Sequence, residues 1–184
     1  MPSLYRVFPW SAAARENEPG GALYVPPQGG GRIDNPAFYS VLYLSDAASG
    51  AVAEAFGRFP EWTNSILAGS PALPGSVSAI ARFQLADTAP VCNLDDPAQL
   101  LELGLRPSDI VSRDYERTRG WARRIHGGGR WNGVRWWSYY HPAWSSFGLW
   151  NLASLRLEKV TALSIGDPAV LEAARTIVRR ITAK

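Results

Sequence analysis

Arg32, Tyr43 and Glu54 follow one another at equal spacing (43 − 32 = 11, 54 − 43 = 11) in the stretch 29–56, GGGRIDNPAFYSVLYLSDAASGAVAEAF. They place a guanidinium, a phenol and a carboxylate in one loop, strand and helix. Gly29, Gly30 and Gly31 hold regular structure only at high entropic cost, but they let a backbone approach a bound group closely. After a turn at Asp34-Asn35-Pro36, Val41-Leu42-Tyr43-Leu44 is short, β-favouring and bounded by turn residues, which predicts a largely buried strand carrying Tyr43. Ser45 or Asp46 then caps a helix over 47–56, on which Gly50 and Ala51 precede Glu54 by four and three positions. Glu54 therefore projects from a face of very small side chains. Burying a carboxylate there costs on the order of several kcal/mol unless it is paired or hydrogen-bonded. Two readings stand side by side. Either loop, strand and helix bring the three residues to one cleft, or Glu54 is exposed and pairs with Arg58 one turn on, a contact worth tenths of a kcal/mol.

The elements that must position these residues follow from the rest of the chain. Leu4-Tyr5-Arg6-Val7-Phe8 alternates as a half-buried strand does and ends at Pro9, with Arg6 on one face. A second strand is expected over 22–25, closed by Pro26-Pro27. The segment 59–74 is an irregular connection anchored by Trp62 and Ile66-Leu67, either a lid or a plain loop. A longer strand is expected over 77–85, with a little more at 92–94. Asp96-Pro97 starts a short helix ending near Leu103-Gly104, and 106–111 is a connector. Helical spacing over 114–126 ends at Gly127-Gly128-Gly129, with basic residues near its C-terminal end, where the helix dipole favours them. Strands are expected at 133–138, 147–151 and 155–161. Asp167-Pro168 caps a final amphipathic helix whose buried face is Val170, Leu171, Ala174, Ile177, Val178 and Ile181. Strands and helices mix without a βαβ rhythm, so the fold class is α+β, one domain over 1–184. Neither glycine run is a dinucleotide fingerprint or a P-loop.

Composition excludes several functions. The 184 residues suit one domain with a sizeable core, and 46% hydrophobic with 19% charged residues is ordinary for a globular protein. The net charge is +3, and the basic residues at 113–124 and at Arg179, Arg180 and Lys184 are not interleaved with aromatics in a stripe, so direct nucleic-acid binding is not expected. Cys92 is the single cysteine, which excludes an internal disulfide and fits a reducing compartment. With His126 and His141 the only histidines, a zinc site or a Ser-His-Asp hydrolase lacks material, and no metal is expected. No apolar run reaches the roughly 20 residues of a membrane span and MPSLYRVFPW is no leader, so a cytoplasmic protein is expected. Five of eight Trp fall at 131, 136, 137, 144 and 150, a cluster whose plainest role is packing.

Five motifs, in order, carry a resemblance: LYRVF at the start, GGGR at Gly29 to Arg32, VLYLSD, AVAEAF, and GVRWWS at Gly133 to Ser138. Together they span most of the chain, which resembles the RES domain, best known as the toxin of bacterial RES-Xre toxin-antitoxin pairs. The chain departs from the family in one loop: Ile33, Asp34 and Asn35 follow Arg32 where Gly-Arg-Trp-Asn or Gly-Arg-Phe-Asn is common. The resemblance implies a compact domain with a central mixed, split β-sheet flanked by helices, similar to ADP-ribosyltransferases. It also implies NAD as substrate, with no further cofactor, and an Xre-like helix-turn-helix antitoxin as partner. The positions it implies are Arg6, Arg32, Tyr43, Glu54 and Ser138.

The implied chemistry fits those residue types. Cleavage between ribose and nicotinamide passes through an oxocarbenium-like state, and the pyridinium leaves without a protonating acid. Glu54 would stabilise the positive charge and orient the attacking water. Arg6 and Arg32 suit the pyrophosphate. Tyr43 would stack on nicotinamide or bond a ribose hydroxyl, and Ser138 would hold the ribose or fix the Glu54 rotamer. The same residues serve hydrolysis, phosphorolysis and mono-ADP-ribosylation of a protein. An inactive binding module of the same fold is the rival from another class, and the joint presence of Arg32, Glu54 and Ser138 argues against it.

Overall fold

In the computed structural model, which describes residues 1–182, β1 (Ser3–Trp10) is the strand on which the sheet divides. Lys184 lies outside the described residues. β1 buries Leu4 and Phe8 on one face and runs on through Pro9, where the sequence reading ended it. It pairs antiparallel with β4 (Val77–Leu85) along its whole length, from Ser3 opposite Gln84 to Trp10 opposite Val77. With β2 (Leu42–Ser45) it meets only at Tyr5 opposite Ser45. Beyond that point β1 has an open side and behaves as an edge, where a proline costs no ladder bond.

The full order is β5-β6-β7-β2-β1-β4-β8. β5 (Val91–Asn93) runs parallel to β6 (Gly133–Trp137), and every other neighbour pair is antiparallel. β7 (Ser145–Leu149) holds β2 from Leu42 to Ser45, and β8 (Leu155–Ala162) closes the far edge. The sheet is mixed and seven-stranded, with helices packed on it, an α+β architecture as expected. β7 begins two residues earlier than its apolar pattern suggests, because Ser145 and Ser146 are buried and apolar periodicity does not register them.

The helices lie on one face. α1 (Ala48–Phe56) packs on α5 (Pro168–Thr176) through Val52, Ala53 and Phe56 against Val170, Ala173 and Ala174. α2 (Pro97–Glu102), α3 (Pro107–Ile110) and α4 (Tyr115–Gly127) cover the β5-β6-β7 end, burying Leu100, Ile110, Trp121 and Ile125 against Val41, Val134 and Trp136. α3 falls where a connector was expected, and Asp109 Oδ2 accepts from Arg106 N at its start. The opposite face, built on Leu4, Phe8, Leu42, Leu44, Phe83 and Phe147, is covered by coil. That coil includes 22–25, which is no strand: Leu23 N bonds Glu16 O and Tyr24 N bonds Gly21 O, so the segment closes turns on its own loop.

In 59–74 the expected anchors hold, with Trp62 and Leu67 buried, but the segment is not wholly irregular; the extent of the last helix is corrected. The segment 59–74 is anchored by Trp62, whose indole Nε1 donates to Phe56 O and Phe59 O at 3.2 Å. Its β3 (Glu61–Trp62) pairs in parallel with β9 (Arg180–Ile181), followed by a 3₁₀ turn at Asn64–Leu67. The last helix stops at Thr176, so only Val170 and Ala174 of its expected face are buried in it; Leu171 is half-exposed and Val178 lies 86% exposed in a reversal that feeds β9. Among the described residues no helix is long and apolar enough to cross a membrane.

Candidate active site

Where β1 and β2 part, a cavity of about 470 Å³ opens between them. Arg6 and Val7 line it from one prong of the fork, Tyr43 and Leu44 from the other, with Glu54 reaching in from α1 and Arg32 from the glycine loop. Four of the five residues singled out in the sequence thus line one cavity, and the fifth, Ser138, stands behind Glu54.

Glu54 is exposed, as the plainer of the two readings had it, while Ser49, Gly50 and Ala51 of the same helix are buried. A Cβ at Gly50 would run into Ser45 Oγ and press on Trp144, so a larger residue there would have to displace the Ser45 hydroxyl. Ser138 Oγ donates to Glu54 Oε1 at 2.7 Å and Ser146 Oγ to the same oxygen at 3.3 Å. Ser138 is itself 2% exposed and accepts from Tyr140 N, so its hydroxyl is aimed by the backbone. Arg58 instead lies 4.7 Å over the Phe59 ring, and among the described residues no Glu54–Arg58 ion pair forms.

Arg32 is held by its Nη1, which donates to Ile110 O at 2.7 Å and Ser112 O at 2.6 Å. Among the described residues its Nε and Nη2 make no hydrogen bond, which leaves guanidinium donors for a ligand in the cavity. Arg6 Nη1 donates to Ala22 O at 2.6 Å, and burial pushes its pKa down to about 10, so it remains cationic at neutral pH. The two cations and one carboxylate suit a ligand with an anionic centre and a cationic or polar end.

Tyr43 presents its ring to the cavity, but its hydroxyl is engaged: it donates to Asp34 Oδ1 at 2.6 Å and accepts from Ile33 N at 3.2 Å. Burial, with Asp34 accepting the phenolic proton, holds its pKa well above the ordinary tyrosine value. The same Asp34 carboxylate, 4% exposed, accepts from Gly29 N and Gly31 N. A Cβ at Gly31 would stand 2.5 Å from both Asp34 Oδ1 and the Tyr43 hydroxyl. The glycine loop therefore closes on the protein's own side chains. α4 grips its other side: Arg119 donates to Gly31 O and Gly29 O, and Thr118 Oγ1 to Arg32 O. Ile33, in the place of the family's aromatic, is fully buried over Gly148 of β7.

Sequence reasoning missed Asp34, Ser146, Thr118 and Arg119 as parts of this site. Asp34 reads as an ordinary turn residue, and the others are remote in sequence. No residue of the segment 59–74 lines the cavity. Among the described residues no group of three or more His, Cys, Asp or Glu is arranged to hold a metal ion.

No curated protein matches the chain in sequence. Among solved structures, the M. tuberculosis MbcT-MbcA toxin-antitoxin complex contains a chain with a TM-score of 0.60 to this one at 15% identity, the match covering 96% of this chain and 88% of that one. At that identity the likeness is one of fold. The RES domain family model matches residues 3–170, from the first strand into the last helix, so the chain belongs to the RES domain family.

Proposed function

We propose that this protein cleaves the nicotinamide–ribose bond of NAD and serves as the toxin of a bacterial toxin-antitoxin pair, acting in the cytoplasm. The observation that carries the reading is Glu54, held through Oε1 by Ser138 and Ser146 in the same cavity as Arg6 and Arg32. Nicotinamide departs with the electron pair of its bond to C1′ and becomes neutral, so no acid is required. The Glu54 carboxylate stabilises the oxocarbenium-like ribose and orients the acceptor on it. Arg6 and Arg32 hold the pyrophosphate through charge-assisted bonds. Tyr43, its hydroxyl committed to Asp34, offers its ring face for stacking. Ser138 acts through Glu54 as a positioning residue.

The toxin role is supported by membership of the RES family and by the fold shared with a chain of a toxin-antitoxin complex. Its partner would be a small helix-turn-helix antitoxin. Incubating the purified protein with NAD labelled in the adenylate half, with and without phosphate, tests the reading. Free nicotinamide with labelled ADP-ribose means hydrolysis, its 1-phosphate means phosphorolysis, and label on protein means transfer. Intact NAD in every condition defeats the proposal.

A further inference from the structure

The mouth of the cavity carries an apolar rim that the chemistry above does not use. Val111, Tyr115 and Tyr139 all line the cavity, yet they are 41%, 39% and 67% exposed. They come from separate elements: Val111 caps α3, Tyr115 begins α4 and Tyr139 follows β6. The Tyr139 ring is held in place, since Arg113 Nη2 donates to its hydroxyl at 3.1 Å and the Arg113 guanidinium lies 5.6 Å from its centroid. Tyr140 meets it edge-on at 5.3 Å. Tyr115 is framed likewise, with the Arg32 guanidinium 6.0 Å and the Arg119 guanidinium 5.6 Å from its ring centre.

Aromatic rings held open to solvent beside an anion-binding arginine are what a nucleotide base covers when its phosphate is bound next door. Resting on the NAD-cleaving reading, we infer that Tyr115, Tyr139 and Val111 form the subsite for the purine of the dinucleotide's AMP half. Arg32 joins this rim to the interior, lining the cavity while lying over Tyr115. The substrate is thereby specified as a dinucleotide; a nicotinamide mononucleotide leaves the rim uncovered. The rim offers ring faces and methyl groups, so it recognises a planar base by stacking and tolerates a changed base edge.

The test compares nicotinamide release from NAD, nicotinamide mononucleotide and the hypoxanthine analogue of NAD by wild type, Tyr115→Ala and Tyr139→Ala. Wild type is expected to favour NAD over the mononucleotide by at least about tenfold in kcat/KM and to accept the hypoxanthine analogue within about threefold. Each variant is expected to lower the NAD-to-mononucleotide ratio by about tenfold, mainly through KM for NAD. Tyr139, whose ring packs on Arg113, separates loss of the base from any shift of the Arg32 that lies over Tyr115. A general disturbance of the fold lowers both substrates together and leaves the ratio in place, which overturns the inference. So does a wild type that favours neither substrate. If no substrate releases nicotinamide, the NAD-cleaving reading fails, and binding of AMP decides the rim by itself. An AMP Kd raised about tenfold by Tyr139→Ala supports it, and an unchanged Kd or no AMP binding overturns it.

Discussion

The Tyr43 hydroxyl donates to Asp34 Oδ1 across 2.6 Å, while Asp34 Oδ2 accepts from Gly29 N and Gly31 N. One carboxylate thus ties the strand that carries Tyr43 to the loop that carries Arg32. Asp34→Ala orphans three donors and is predicted to cost about 3 kcal/mol of stability by urea unfolding. Because it also frees the Arg32 loop, KM for NAD is predicted to rise at fixed kcat, and Asp34→Asn, which keeps an acceptor, to lose less on both measures.

Ser138→Ala removes the shorter of the two hydroxyl bonds to Glu54 Oε1 and leaves the carboxylate in place. A fall in kcat of about tenfold is predicted, with a smaller fall for Ser146→Ala, whose bond is 3.3 Å. Equal and large rises in KM for NAD in both variants would instead mean that the serines hold substrate.

Much of this arrangement was legible in the chain, and the illegible part has physical causes. Helix α2 was readable because Asp96 caps it by accepting from Ala98 N and Pro97 follows, both local signals. Glu54 stood out because a carboxylate among Gly and Ala contradicts a packing face. Asp34 did not, because Asp before Asn-Pro is turn chemistry wherever it occurs, and its partner Tyr43 lies nine positions on, in a separate element. The strand expected at 22–25 and the helix expected past Thr176 failed for one reason: apolar side chains mark burial, and burial is also reached by coil over the Leu4–Phe8 face and by the short β9.

Val178 is the one non-glycine residue with positive φ, at 54°, among the described residues. It sits where a helix end places glycine, with Arg179 N bonded to Ala174 O and Val178 N to Arg175 O. A β-branched residue there is strained by about 1–3 kcal/mol, and glycine costs about 1 kcal/mol in unfolded-state entropy. Since Val178 is 86% exposed, little burial is lost. Val178→Gly is therefore predicted to stabilise by about 1 kcal/mol, raising Tm by about 2–4 °C in a scanning experiment.

Stability is predicted to fall on the alkaline side. Burial pushes the Cys92 thiol up from 9.0 to about 11, so above pH 9 the unfolded chain has released a proton that the folded chain keeps. Cys92's contribution is full below pH 9 and is lost as pH rises towards 11, at up to about 1.4 kcal/mol per pH unit. From pH 10 Tyr43, also raised, adds to the loss, and Arg6, lowered to about 10, opposes it. Urea unfolding at pH 8, 9 and 10 checks this, with Cys92→Ala predicted to flatten the segment between 9 and 10.

The Glu54 carboxylate is proposed to drive cleavage of NAD in the fork between β1 and β2. Single-turnover nicotinamide release by wild type and by Glu54→Gln, which keeps the shape and the Ser138 bond but removes the charge, tests it most directly. Release by wild type is predicted, with a rate at least about tenfold lower in a variant of unchanged Tm, the loss of about 1.4 kcal/mol of transition-state stabilisation. Equal rates in the two proteins would contradict it.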